Sequence, residues 1–282
     1  MFYIIKLTLT AALLLTLTGC SVSSLMFYPL KQYPATPAQL GLEYSEVHHK
    51  ARDGIKLVSW WLPAKLAEGI QPKGSVLFLH GNAQNISYHQ FNTNWLTNHG
   101  YNVFMLGYRQ FGDSDGLARL PDIFLDVHAG LDWMFVHHGE LPVVVLGQSM
   151  GAALSVYGVA SYQGEQVSAI ILDAVFDSFP NMAATAMSRN WFTWPLQTVA
   201  WSMTERYDPI NWVKRLPAVP LLVMHSEEDS VVPYQMGRTI YLSADSPKRW
   251  IDNKGGHIKT FRHKDLRTEV LEFLSANLSS TN

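Results

Sequence analysis

"VVVLGQSMGAALSVYG", residues 143–158, places one serine between two glycines, where an apolar run gives way to small, helix-compatible residues. Val143 to Leu146 is short, continuous and apolar, the pattern of a strand buried on both faces. Gly151, Ala152 and Ala153 let the helix that follows pack close to the sheet. A chain that turns sharply from strand to helix at Ser149 holds the hydroxyl proud of the sheet. Its strained backbone tolerates only small neighbours two residues away. Gly147 and Gly151 meet that demand, so Ser149 is a candidate nucleophile.

A serine hydroxyl is a weak nucleophile until a base takes its proton. "LLVMHSEEDSVVP", residues 221–233, offers Glu227, Glu228 and Asp229 just after a strand. "KGGHIKTF", residues 254–261, offers His257 in a glycine-rich loop before the last helix, with His263 the nearest rival.

Further buried-type strands are read at Ser75 to Leu79, Tyr101 to Leu106, Ala169 to Leu172 and Leu221 to Met224. Two β-rich runs flank Arg52-Asp53-Gly54, a hairpin signal. Ile123, Val127, Leu131 and Phe135 recur every four residues and form one helical stripe. Leu266 to Leu274 closes the chain as an amphipathic helix. Alternating strands and helices predict an α/β fold, a mostly parallel central sheet with helices on both faces. Residues from about 176 to 212, rich in Met and Trp, read as a helical cap insertion. It is expected over the carboxyl ends of the strands, where ligands sit in open α/β sheets.

The order Ser149, Asp229, His257 is the order of α/β-hydrolases. "ARDGIKLVSWWLP" (51–63), "LFLHGNAQN" (77–85), "GYRQFGDSDG" (107–116), "LGQSMGAA" (146–153), "HSEEDSVVP" (225–233) and "GGH" (255–257) follow in the right order. Together they resemble the α/β-hydrolase superfamily, in particular its Bem46/ABHD13-like branch. The resemblance implies an α/β-hydrolase fold, Ser149 as nucleophile, His257 as base and Asp229 as the acid that orients it. Asp229 is preferred to its acidic neighbours because it directly precedes Ser-Val-Val-Pro. The backbone amides of Met150 and Asn82 are expected to form the oxyanion hole. Family members often show Asp-Tyr-Arg-Gly where this chain has Gly107-Tyr108-Arg109-Gln110. Arg109, Asp113 and Asp115, on the same loop, are expected to hydrogen-bond within it, with a polar head group as the other role.

The amino terminus differs from the rest. One cation, Lys6, precedes an apolar run from Leu7 to Leu17, too short to span a bilayer. The run ends in Leu17-Thr18-Gly19-Cys20, which resembles the lipobox of bacterial lipoproteins. That implies a signal peptide over 1–19 and acylation of Cys20, the only cysteine. Each buried methylene of an acyl chain contributes about 0.8 kcal/mol to anchoring. Ser21 in place of an aspartate resembles an outer-membrane address. Residues 20–42, with several prolines, are expected to be a tether and irregular lead-in, and 43–282 the hydrolase domain.

The 282 residues are 48% hydrophobic and 16% charged with a net charge of -2, which fits a folded core and offers no field for nucleic acid. One cysteine permits no internal disulfide, and no zinc-ligand spacing appears, so no metal or organic cofactor is expected. The expected activity is hydrolysis of a carboxylic ester or thioester, a small molecule or lipid, by a membrane-anchored serine hydrolase of the bacterial cell envelope. The alternatives are a peptidase or amidase of the same fold, or a non-catalytic envelope scaffold. Activity is expected to fall at acid pH, because an imidazole must be neutral to act as a base.

Overall fold

In the computed structural model, residues 23–278 are described, apart from 138, 190, 195, 196 and 246. The signal segment and Cys20 lie outside the described residues. The strands are β1 (Ser45–Lys50), β2 (Lys56–Leu62), β3 (Gly74–Leu79), β4 (Tyr101–Met105), β5 (Val143–Gln148), β6 (Ala169–Asp173), β7 (Leu221–Ser226) and β8 (Lys248–Asn253). They form one sheet in the order β8-β7-β6-β5-β3-β4-β2-β1. β2 runs antiparallel to β1 and to β4, and every other pairing is parallel. β1 and β2 are the expected hairpin, with Gly54 at φ 86° in its turn.

β3 to β7 are buried along their whole length, which is why they read as unbroken apolar runs. Their side chains alternate between two cores. The longer helices are α1 (Ile123–His137), α2 (Met150–Ala160), α3 (Phe179–Ser188), α4 (Tyr234–Ser243) and α5 (Lys264–Leu278). Leu77 and Leu79 enter the core that holds Val127 and Leu131 of α1 and Leu154 of α2. Val76 and Phe78 enter the opposite core, with Val270 and Phe273 of α5. Each such side chain contributes about 1.5–3 kcal/mol by leaving water. With both faces covered, the open end of the sheet at the strands' carboxyl termini is where loops gather.

Two features differ from expectation. β8 (sequence KRWIDN) carries no apolar run, because it is an edge strand with only Ile251 buried. Its parallel pairing with β7 makes it a strand. The stretch expected to be a tether is packed from Ser23 onward. Phe27 is buried, and Tyr28 and Pro29 pair in parallel with Ala83 and Gln84. Asn85 Nδ2 donates to the carbonyls of Leu30 and Gln32, each at 2.8 Å. The amino-terminal segment therefore braces the loop after β3.

Between β6 and β7 the chain rises into α3 and the short helices Gln197–Ala200 and Pro209–Trp212. Met182, Met187 and Trp212 pack on the core, while Trp191, Phe192, Trp194 and Trp201 are exposed.

Candidate active site

Ser149 links β5 to α2 with φ 54° and ψ −118°, a backbone that serine rarely adopts. Its amide donates to the Asp173 carbonyl at 2.8 Å, locking the turn to the end of β6. A Cβ at Gly147 would sit 2.6 Å from Ala152 Cα, and one at Gly151 would run into the Leu79 carbonyl. The two glycines let β3, β5 and α2 meet at one point, and the hydroxyl is pushed up between them.

His257 Nε2 lies 2.9 Å from Ser149 Oγ, and its Nδ1 lies 2.8 Å from Asp229 Oδ2. The other carboxylate oxygen, Oδ1, accepts from the amides of Val231 at 2.7 Å and Val232 at 2.9 Å. Burial opposes the charge on Asp229, but the hydrogen bond and charge of His257 and the two loop amides outweigh it and hold the carboxyl below its usual range. Its side chain is 1% exposed and that of His257 is 17% exposed, so only the imidazole edge and the hydroxyl reach the cavity. Glu227 and Glu228 point to solvent, and His257 rather than His263 meets the serine.

Residues 70–219 match the Hydrolase_4 family, described as "Serine aminopeptidase, S33". The chain is 30% identical over 245 residues to YfhR of Escherichia coli (strain K12), covering 84% of this chain and 82% of that one. It is 25% identical over 201 residues to Protein bem46 of Schizosaccharomyces pombe, covering 70% and 64% of the two chains. The Pyrococcus furiosus esterase Pf2001 superposes with a TM-score of 0.74 at 21% identity, over 90% of this chain and 99% of that one. The chain is an α/β-hydrolase. It belongs to the Hydrolase_4 family and to its Bem46-like branch.

The hydrolase has a cavity of about 350 Å³ beside Ser149. Asn82 and Met150 line it, and no protein acceptor takes the amide of either residue among the described residues. Met150 is the first residue of α2, where the helix leaves its amides unpaired. Asn82 sits in the loop braced by Tyr28 and Pro29. Met26, Phe176, Met182, Val231 and Val232 supply an apolar wall.

Several residues that position the site carry no role that the quoted motifs announce. Asp173, fully buried at the end of β6, accepts from Gln148 Nε2 at 2.7 Å, Thr260 Oγ1 at 2.7 Å and Asn253 Nδ2 at 3.0 Å. It thereby ties the turn at Ser149 to the loop that carries His257. Burial pushes its carboxyl up to about 6, with Gln148, Thr260 and the charge of His257 opposing. His225 Nε2 donates to the Val232 carbonyl at 3.0 Å and pins the Asp229 loop. Burial favours its neutral form. The partners of Asp173 come from β5, from β8 and from the loop after β8, so no spacing along the chain announces them.

Arg109 is not a head-group ligand. It is buried, its Nη2 donates to Asp126 Oδ1 at 2.7 Å and its Nη1 to Asp53 Oδ2 at 2.8 Å. The loop after β4 is built around this ion triad. Gln110 adopts φ 73°, the conformation glycine usually takes, at the position where the family often has glycine. Among the described residues, no group of three or more His, Cys, Asp or Glu side chains could hold a metal ion.

Proposed function

We propose that this hydrolase cleaves a carboxylic ester or thioester through an acyl-enzyme on Ser149. The observation that carries the reading is the chain of contacts from Asp229 through His257 to Ser149, 2.8 and 2.9 Å long. Ser149 Oγ attacks the acyl carbon and His257 Nε2 takes the hydroxyl proton. The developing oxyanion accepts from the amides of Asn82 and Met150. His257 returns the proton to the departing alcohol or thiol. It then takes a proton from the water that attacks the acyl-enzyme, and passes it to Ser149 Oγ as the acyl–Oγ bond breaks and the acid leaves. Asp229 fixes the tautomer and balances the imidazolium charge. The apolar wall of the cavity suits an acyl chain of short to medium length. The named activity of the P. furiosus esterase is in keeping with this reading.

A peptidase that binds a free amine needs a carboxylate in its cavity, and none lines this one. Asp208 instead caps α3 through the Phe179 amide at 2.9 Å. The scaffold alternative does not account for a strained serine hydrogen-bonded to a histidine.

We also propose that an acyl group on Cys20 holds the hydrolase on the bacterial outer membrane. Among the described residues, no helix is long and apolar enough to cross a membrane. Three residues span at most about 11 Å, so Ser23 would stay close to a lipidated Cys20. Met26 already lines the cavity, which brings the mouth of the site near the bilayer.

The test is hydrolysis of a nitrophenyl ester series by a soluble protein starting at Ser21, beside Ser149→Ala. Turnover in the wild type that drops by at least roughly 10³-fold in the variant supports the reading. A folded wild type as inert as the variant would remove it.

A further inference from the structure

The two candidate oxyanion donors are aimed by different means. Met150 is fixed by α2, whereas Asn82 lies in a loop with no helix behind it. Its neighbours are held instead through their carbonyls. His80 Nδ1 donates to the Gly81 carbonyl at 2.7 Å, and His89 Nε2 donates to the Ala83 carbonyl at 2.9 Å. Both of these contacts are local. A third comes from far along the chain. The Leu30 amide donates to the Gln84 carbonyl at 2.9 Å, continuing the parallel pairing of Tyr28 with Ala83 and Pro29 with Gln84. Gln84 adopts φ 72°, a left-handed backbone that a residue other than glycine keeps only where its surroundings impose it.

The amino-terminal segment is fastened on both sides of that point. Asn85 Nδ2 holds the carbonyls of Leu30 and Gln32, while Asn85 Oδ1 accepts from the Ser87 amide at 3.0 Å and caps the short helix Ile86–His89. Ser87 Oγ and Gln90 Nε2 donate to the Ala35 carbonyl at 2.5 and 2.8 Å. On the loop after β4, the Gly112 amide donates to the Leu30 carbonyl at 3.0 Å and the Asp113 amide to the Tyr33 hydroxyl at 2.9 Å. Residues 26–35 thus form a strap across the loops after β3 and β4. Core packing alone does not account for it. Phe27 is buried, but Tyr28 and Leu30 are 64% and 45% exposed, so between them it is the backbone that is engaged. Met26, at one end of the strap, lines the cavity together with Ser149, Asn82 and Met150.

An oxyanion donor is effective only if it is aimed before the charge develops. We propose that the strap is a positioning element of the catalytic site. By fixing Ala83 and Gln84 from outside, it holds the Asn82 amide in register with the Met150 amide. The proposal rests on the acyl-enzyme reading and gives the amino-terminal segment a part in it.

The test uses the full-length protein in detergent, with Asn85→Asp and Leu30→Pro. Asn85→Asp keeps the oxygen that caps the helix and turns the donor that faces the strap into an acceptor. Leu30→Pro removes the amide that reaches Gln84, at an exposed position where no core is disturbed. In each variant kcat/KM on nitrophenyl esters should fall by roughly 10- to 100-fold, equally for the acetate and for longer chains. Affinity for an alkyl boronic acid, whose tetrahedral adduct on Ser149 puts an oxygen where the oxyanion forms, should weaken by a similar factor. Inhibition by butanol, which forms no such adduct, should be unchanged. Undiminished kcat/KM in either folded variant would overturn the proposal and leave the ester-hydrolase reading intact. A drop confined to the longer esters would make the strap a wall of the acyl cavity only, and overturn it too. So would slower turnover with boronate affinity unchanged. Where one variant melts below the assay temperature the other decides, and failure of both to fold would make the strap a folding element and nothing more. Folded wild type that neither turns over an ester nor binds the boronate would remove the hydrolase reading itself.

Discussion

Asp229 holds His257 Nδ1 on one carboxylate oxygen, 2.8 Å away, while its other oxygen is taken by two backbone amides. This division of labour decides what an isosteric change would do. In Asp229→Asn the amide oxygen stays on the Val231 and Val232 amides, so the NH₂ group faces His257. The ring must then turn Nδ1 into an acceptor and carry its proton on Nε2, where it cannot receive the serine proton. The expected result is a kcat loss of roughly 10³- to 10⁴-fold with the fold retained. Steady-state kinetics beside a thermal melt checks it, and near-normal kcat would remove Asp229 from the proposed triad.

Asp173 has a stability signature that depends on pH. Burial raises its carboxyl from the usual 3.8 to about 6 in the folded protein. The folded state therefore binds this proton more tightly than the unfolded state does. The stability it contributes is fully present below 3.8 and is lost as pH rises through about 6. Asp173→Asn does not titrate. The advantage in melting temperature of wild type over the variant should be largest near pH 4 and smaller at pH 7. A gap that widens with rising pH would contradict the assignment.

Trp191, Trp194 and Trp201 are 75%, 62% and 65% exposed, a large apolar surface for a protein in water. Arg189 Nη2, close in sequence, donates to the Val231 carbonyl at 2.5 Å, so this part of the cap adjoins the cavity wall. The soluble protein starting at Ser21 should sediment with phospholipid vesicles. Changing the three tryptophans to serine should lower that partition by at least roughly tenfold. Equal partition of the two proteins would leave Cys20 as the sole proposed contact with lipid.

Met182 and Val232 stand on the apolar wall of the cavity. Val232→Trp should shorten the acyl chains accepted, with the rate on longer nitrophenyl esters falling more than that on the acetate. A uniform drop across the series would place the acyl chain elsewhere.

Much of the fold was legible because β3 to β7 are buried on both faces, so each carries a continuous apolar run instead of an alternating pattern. β8 was not, since an edge strand needs only one apolar anchor, here Ile251. Ser149 was legible because its backbone demands glycine on either side. Asp229 and His257 were legible through the order of their loops along the chain. Asp173, Thr260 and Asn253 were silent, because a hydrogen bond between distant segments leaves no periodic mark in either one. Arg109 offered two roles to a reader of the sequence, and its burial between Asp126 and Asp53 chose the structural one.

The sequence by itself determined the elements that local physics dictates: the runs of the central strands, the turn at Ser149 and the candidate acid and base in their loops. Only the tertiary structure decided that these three side chains meet at 2.8 and 2.9 Å. It alone placed an apolar cavity beside Ser149 and His257. The reason is physical. Which face an element buries is set by residues near one another in the chain. Which side chains share a cavity is set by how distant segments close around the sheet.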